Sequence, residues 1–570
     1  MHMHHIKTLT YILTLCFICI ISQVGIAQNP PRLILQITVD QLRGDLPERF
    51  LDRMGENGFR YLLEEGVVYK DAHHAHSNTE TIVGHTTLAT GAYPATHGMI
   101  ANVWLDRKDG TLNYAVEDGR YPLLSPKGDI NKETEIDPTQ KAAQSSGRSP
   151  SNIRVSTFSD ELALHTAGQS KVYGVSIKDR SAISMAGHAG EAFWFSKQTG
   201  EFVTSSYYFD EYPEWVESWN AKRPVQDYAD TSWDLLHPKD TYLYGDKDDM
   251  EWEMDFPGYG RTFPHAFGAD DSKYFTTLLT LSPVGDKLTL DFAKELVVQE
   301  SIGEDEITDY LSVSFSSTDY IGHFFGPSSL EMEDNLLQLD KTLADLIEFI
   351  DDRIGLENTL IVLSADHGGP EVPGNLNTYG IEAKYVDVDN WDKEASIKVL
   401  KERFGIGQEL IKEYYHPYIY LNTEIIAANG LEIGEVERAV AEQINLFEGV
   451  AFALPSTALL AGEYPKTQLT QLVLNNHNLR RSGNIYVVYE PHWFLNDFDG
   501  LIVAATHGSP WRYDTYVPVM FAGSGLKPQM IYRQIQTVDV ATTLAAWIGT
   551  KPPSGAVGQV LSEVLAQKKD

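Results

Sequence analysis

Two near-continuous apolar runs, "DYLSVSFSS" (309–317) and "NTLIVLSA" (358–365), flank a long amphipathic segment, and this arrangement constrains the fold most. Val, Ile and Leu without polar alternation predict strands buried on both faces. Between the runs, Met332, Leu336, Leu339, Leu343, Leu346, Ile350 and Ile354 recur at steps of three and four. That spacing marks one face of a helix. Strand, helix and strand in this order predict a βαβ unit of a parallel sheet. Two further runs, "RLILQITV" (32–39) and "KVYGVSI" (171–177), repeat the strand signature. The expected fold class is α/β.

A chain of 570 residues suits two domains or one large α/β domain with insertions. Residues 187–270, rich in aromatics and glycine, are expected to form hairpin and loop insertions. Residues 370–500 mix a strand ("HPYIYLN"), a helix ("EVERAVAEQINLF") and another strand ("GNIYVVYEP"), and are expected to form a smaller cap. Residues 1–27 stand apart. Lys7, an apolar run and the small residues Gly25 and Ala27 read as a secretory signal cleaved before Gln28. The run is short for a membrane span, so no stable membrane insertion is expected.

Cys16 and Cys19, the two cysteines of the chain, both fall within that leader. The mature chain therefore lacks disulfides, thiolate metal ligands and a cysteine nucleophile. Lys7 is the leader's single charged residue, so its removal leaves 44 basic against 80 acidic side chains, a balance of −36. Such a chain does not bind nucleic acid or anionic membranes through general charge. An anionic substrate would need local positive charge, from metal ions or a few placed basic side chains.

Three strand-like runs end in aspartate: Asp40, Asp319 and Asp366. Ligands of open α/β sheets bind beyond the carboxyl ends of strands, where these carboxylates could converge. Two of them, Asp319 and Asp366, have a histidine in their context. His323 follows Asp319 at i+4, so a helical turn would put both on one face. His367 follows Asp366 directly, and "AATHGSPW" supplies His507. Oxygen and imidazole donors without thiolate suit Zn²⁺ or a similar transition ion. The denser cluster His73, His74 and His76 lies in a loop without fixed geometry and is not expected to bind metal. His85 and His97 are expected to be buried, hydrogen-bonded structural residues.

The motifs "VDQLRGD", "TETIVGHTTLATGAYPATHGMIANVW", "GVSIKDRSAI", "STDYIGHFFGP", "SADHGG" and "ATHGSPWRYDTYVPVMFAG" occur in one order. Together they resemble the alkaline phosphatase superfamily, specifically its PafA-type bacterial phosphatases, from about Asp40 to "PPSGAVGQ". The resemblance implies a three-layer α/β/α sandwich with a mostly parallel central sheet and an inserted cap, residues 28–570 forming the catalytic domain. It implies an exported, periplasmic or secreted alkaline phosphatase acting on small phosphate monoesters, with a monomer favoured. Asp319, His323 and His507 would bind one zinc ion. Asp40, Asp366 and His367 would bind the second, with the nucleophile Thr81 completing its shell. Asn102, Lys178 and Arg180 would contact the phosphoryl oxygens.

The residues support these implied roles. Zn²⁺ favours the alkoxide of a threonine hydroxyl, and a place at the start of helix "IVGHTTLATG" adds a dipole favourable to oxyanions. In an extended segment Lys178 and Arg180 would share a face, with Asp179 pointing away. The same framework serves phosphodiesterases and nucleotide pyrophosphatases, the alternative reading. Three groups around the phosphoryl oxygens favour the dianionic monoester. A sulfatase is disfavoured, because "GSPWR" has the spacing of its nucleophile motif but starts at Gly508. Some members also hold Mg²⁺. In the branch resembled here a lysine takes that place, so no third ion is expected beside Lys178.

Overall fold

The computed structural model describes residues 30–495, 497–498 and 501–568. The expected leader, residues 1–27, lies outside the described residues. Leu33–Val39 (β1) is buried along its whole length. Its side chains alternate between two cores, as the period of a strand requires. Leu33, Leu35, Ile37 and Val39 enter one apolar cluster, and Ile34 enters another on the opposite face.

Eight more strands complete the main sheet: β2 (Val67–His73), β3 (Val172–Ser176), β4 (Glu191–Ser196), β5 (Glu201–Val203), β6 (Asp309–Phe315), β7 (Thr359–Ser364), β8 (Tyr516–Gly523) and β9 (Gln529–Gln536). Their spatial order is β9-β2-β8-β7-β1-β6-β3-β4-β5. The five strands from β7 to β4 are parallel to one another. Strands β8 and β5 run against their neighbours.

The helices that matter here are α1 (Thr81–Thr90), α2 (Asp179–Ala186), α3 (Pro283–Gln299), α4 (Ser317–Phe325), α5 (Leu330–Arg353) and α6 (Asp539–Ile548). Apolar residues of α3 and α5 cover one face of the sheet, and those of α1 and α6 cover the other. The result is the three-layer arrangement. All seven apolar residues read as a helix face are buried, and Ser329 starts α5 by accepting a hydrogen bond from the Met332 N–H. The βαβ reading holds with one refinement: β1 sits between β6 and β7. The crossover therefore spans an intervening strand.

The stretch read as an insertion from residue 187 begins inside the main sheet. Strand β4 pairs parallel with β3, and β5 turns back along the edge. Phe193, Trp194 and Phe195 fill this strand with aromatic bulk where aliphatic side chains mark the others. Downstream lie a helix at Glu214–Lys222 and one short ladder between Ser232–Trp233 and His265–Ala266.

A second sheet is wholly antiparallel, with strands in the order Ile411–Tyr415, Tyr418–Leu421, Ile485–Tyr489 and Val450–Pro455. One face packs its own core through Ile419, Val436, Val440, Ile485 and Val487. The other face sends Tyr418, Tyr420, Tyr486 and Val488 into a cluster with Ile82, Val83 and Ile183 of α1 and α2. This shared core seats the second sheet over the first turns of those helices. Among the described residues no helix is long and apolar enough to cross a membrane.

Two fully buried histidines remote from the strand-end carboxylates bear on stability. The Met99 N–H donates to His97 Nδ1, so Nε2 carries the proton and donates to Thr87 Oγ1. Burial and Arg481 push His97 down to about 3, and burial pushes His265 down to about 4. Both stay neutral in the fold while their unfolded counterparts protonate near 6.5. Their stability contribution is complete above that value and is lost as pH falls toward 4, by about 1.4 kcal/mol per pH unit for each histidine. In His97→Gln, the slope of unfolding free energy against pH between 6 and 4 should fall by about 1.4 kcal/mol per unit, measured by urea titration.

Candidate active site

Four neighbouring parallel strands, β7, β1, β6 and β3, carry Asp366, Asp40, Asp319 and Lys178 just past their carboxyl ends. Thr38 pairs with Ser364, so Asp40 and Asp366 continue the same register level. Asp319 stands in the first turn of α4, and Lys178 is the N-cap of α2. Adjacent strands lie about 4.8 Å apart, close enough for these side chains to meet.

They do meet. His367 Nε2 is 3.4 Å from Asp40 Oδ1 and 3.3 Å from Asp366 Oδ2. Asp319 Oδ1 lies 3.4 Å from His323 Nε2 and 3.3 Å from His507 Nε2. The i+4 spacing of Asp319 and His323 thus works as expected. Ligand atoms of Asp40, Asp366 and His367 all fall within 4.8 Å of one another, as do those of Asp319, His367 and His507. His367 touches both sets, its ring stacked on His507 at 3.6 Å.

Hydrogen bonds at the far nitrogens fix the histidine tautomers. His323 Nδ1 donates to the Ala505 carbonyl at 2.8 Å, His507 Nδ1 to Thr79 at 2.7 Å and His367 Nδ1 to Gly368 at 2.9 Å. Each ring therefore turns its Nε2 inward, the arrangement of metal-binding imidazoles. Gln41, overlooked in the sequence, ties the two sets together. Its N–H donates to Asp366 Oδ1 and its amide to Asp319 Oδ1. It holds φ at 64° to do so, a left-handed conformation costing about 1 kcal/mol.

The donor set fits a cation. Three buried carboxylates face a single buried lysine: Lys178 Nζ lies 2.8 Å from Asp40 Oδ2 and also pairs with Asp319. Both Asp40 oxygens, Asp366 Oδ2 and His367 Nε2 are buried without a hydrogen bond of sound geometry. Burial, then the Asp366 charge, holds the Asp40 carboxyl well above its ordinary range. Burial acts the same way on Asp319, but Lys178, followed by His323 and His507, outweighs it and holds that carboxyl well below. Burial holds His367 well below the ordinary histidine range, in its neutral form.

Thr81 opens α1, and Arg180 Nη2 donates to its Oγ1 at 3.4 Å. Arg180 Nη1 is held by Asp137 at 2.8 Å. Asn102 Oδ1 accepts the Ile82 N–H, and its own N–H donates to Glu80. One sequence expectation needs correction. Lys178 and Arg180 do not share the face of an extended segment, because the helix starts at Asp179 and Arg180 lies in its first turn. Asp179 does point away, toward Tyr114 and Arg148. Lys178 does not line the cavity; its Nζ pairs with Asp40 and Asp319.

That cavity, about 160 Å³, is lined by Thr81, Asn102, Arg180, Asp319, His323 and His507, together with Glu80, Asp137, Tyr320 and His416. Glu80 and Tyr320 lie inside the site motifs without an assigned role, and Asp137 and His416 lie outside them. The remaining histidines are spoken for. His74 contacts Ala365, His76 and Thr537, while His73 contacts Asp71 and Thr515. His85 contacts Thr81 and Ser314. Ser509, beside Gly508, donates to Asp514.

A hydroxyl at a helix start shares this cavity with Asp319 and two imidazoles, and the chain's relatives make it a hydrolase of the alkaline phosphatase superfamily. Residues 34–510 match the type I phosphodiesterase / nucleotide pyrophosphatase family, and the chain belongs to it. The chain is 33% identical over 546 residues to alkaline phosphatase PafA of Elizabethkingia meningoseptica, covering 94% of this chain and 95% of that one. It is 35% identical over 541 residues to a Myroides odoratus protein named a calcium-transporting ATPase, with the same coverage. The crystal structure of wild-type PafA matches with a TM-score of 0.84 and 32% identity, over 94% of this chain and 99% of that one.

A cage of mutually repelling carboxylates gains stability from a bound cation. Exhaustive chelation should lower the melting temperature, and zinc should restore it. In the chelated protein, Asp40→Asn should melt higher than the unaltered chain, since it removes a charge that burial and Asp366 oppose. Zinc should then stabilise that variant less.

Proposed function

We propose that the chain is an exported, metal-dependent alkaline phosphatase that hydrolyses phosphate monoesters through a phosphothreonine at Thr81. One observation carries this reading. The Thr81 hydroxyl, held by Arg180 at 3.4 Å, shares a cavity wall with Asp319, His323 and His507. Two Zn²⁺ ions, held by Asp319, His323 and His507 and by Asp40, Asp366 and His367, would supply the Lewis acidity for displacement at phosphorus. Lys178 Nζ between Asp40 and Asp319 favours two ions over three, its charge standing in the place of a Mg²⁺.

The chain's own groups perform the rest. Thr81 Oγ1 loses its proton and bonds to phosphorus as the ester P–O bond breaks. The alcohol leaves with the bridging oxygen and takes up a proton. The oxygen of a water then replaces Thr81 Oγ1 on phosphorus, which releases inorganic phosphate and returns the hydroxyl. The N-terminus of α1 faces the developing charge. Arg180 is fixed by Asp137, and the Asn102 amide by the Ile82 N–H, so both present donors to non-bridging oxygens without reorganisation. The leader read in residues 1–27 supports residence in the periplasm or outside the cell.

The family's description names phosphodiesterases, which keeps the diester reading in view. A diester replaces one charged oxygen with a substituent, and Arg180 and Asn102 would lose an acceptor. The enzyme should cleave p-nitrophenyl phosphate much faster than the bis(p-nitrophenyl) ester; the opposite preference would favour the diesterase. Thr81→Ala should lower kcat on the monoester by at least about a thousandfold, with melting temperature and zinc content near those of the unaltered enzyme. Retained turnover would remove Thr81 as the nucleophile.

A further inference from the structure

The cavity continues past the phosphoryl position. Glu80, Pro138, Thr139, His416 and Leu495 line both it and a wider groove beside the cap. A hairpin of Val103–Leu105 and Leu112–Tyr114 contributes Val103 and Leu112 to this groove, and the cap contributes Val386, Val388 and Tyr415. These side chains are partly or fully buried yet still line the groove, and the chemistry above uses none of them.

Asp387 and Asp389 bring negative charge to the groove, which Lys141 also lines. Asp387 and Asp389 are exposed, and among the described residues neither forms a salt bridge. Asp387 accepts the Asp389 N–H, which fixes the turn that presents both. An apolar lining bordered by negative charge favours an uncharged, oil-like group over a second anion.

We propose that this groove is the leaving-group subsite, selecting monoesters whose alcohol is apolar or aromatic and carries no second anionic group. The proposal rests on the phosphatase reading and adds the substrate class. Its argument is continuity: the groove shares five lining residues with the cavity that holds Thr81, so an ester bound there extends its alcohol along Leu112 and Tyr415. Sugar bisphosphates, inositol polyphosphates and nucleoside polyphosphates would set an added anion against Asp387 and Asp389.

The test compares kcat/KM for 2-phenylethyl phosphate and ethyl phosphate, whose alcohols are of similar acidity and differ mainly in the ring. Burying that ring should raise kcat/KM at least about tenfold. Leu112→Asn and Tyr415→Ala should each move the ratio toward one. A carboxylate added at the para position should lower kcat/KM severalfold, and the Asp387→Asn, Asp389→Asn double variant should recover it. A native ratio near one, a ratio unmoved in both groove variants, or indifference to the carboxylate would overturn the proposal. No turnover of these esters or of p-nitrophenyl phosphate would instead overturn the phosphatase reading, and the subsite with it.

Discussion

Three carboxylates crowded into one buried volume repel one another, and the rest of the site is organised around that repulsion. Ligand atoms of Asp40 and Asp366 lie within 4.8 Å of one another. At an effective dielectric constant of 20, two charges at that distance oppose folding by about 3–4 kcal/mol. Lys178 offsets part of this through Asp40 and Asp319. Gln41 adds two donated hydrogen bonds, one to Asp366 and one to Asp319. The uncompensated remainder is what a bound cation would offset. Placing the aspartates past three adjacent parallel strands, beneath two helical layers, keeps them from moving apart.

The same strand ends set the position of Thr81, the proposed nucleophile. A Cβ on Gly84 would lie 1.8 Å from the Asp366 carbonyl oxygen, so α1 can approach that loop only because the position is glycine. This contact brings Thr81, one turn earlier, to the edge of the carboxylate cage. The second sheet holds the arrangement from above, through Tyr418, Tyr420 and Tyr486 packed against Ile82 and Val83. It also contributes Tyr414 and Tyr415 to the groove proposed to take a substrate's alcohol.

Much of this was legible in the sequence because burial leaves a strong imprint. The aliphatic runs at 32–39, 171–177, 309–317 and 358–365 became the four adjacent strands that end in Asp40, Lys178, Asp319 and Asp366. Less visible was whatever depends on side chains meeting across the chain. Gln41 directly follows Asp40, yet nothing local announces hydrogen bonds to carboxylates about 280 and 325 positions away. Asp137 stands before a proline in no recognised motif, and only the fold brings it to Arg180. Strand β4 escaped notice because aromatics replaced the aliphatic signature. Lys178 and Arg180 were placed in a strand because the helix boundary between them is a backbone event that "IKDRS" does not disclose.

The central claim concerns cations, and anomalous diffraction at the zinc edge from zinc-loaded crystals tests it most directly. Two peaks roughly 4 Å apart are expected, one against Asp319, His323 and His507 and the other against Asp40, Asp366, His367 and Thr81. A single peak, or ions bound away from these side chains, would contradict the account.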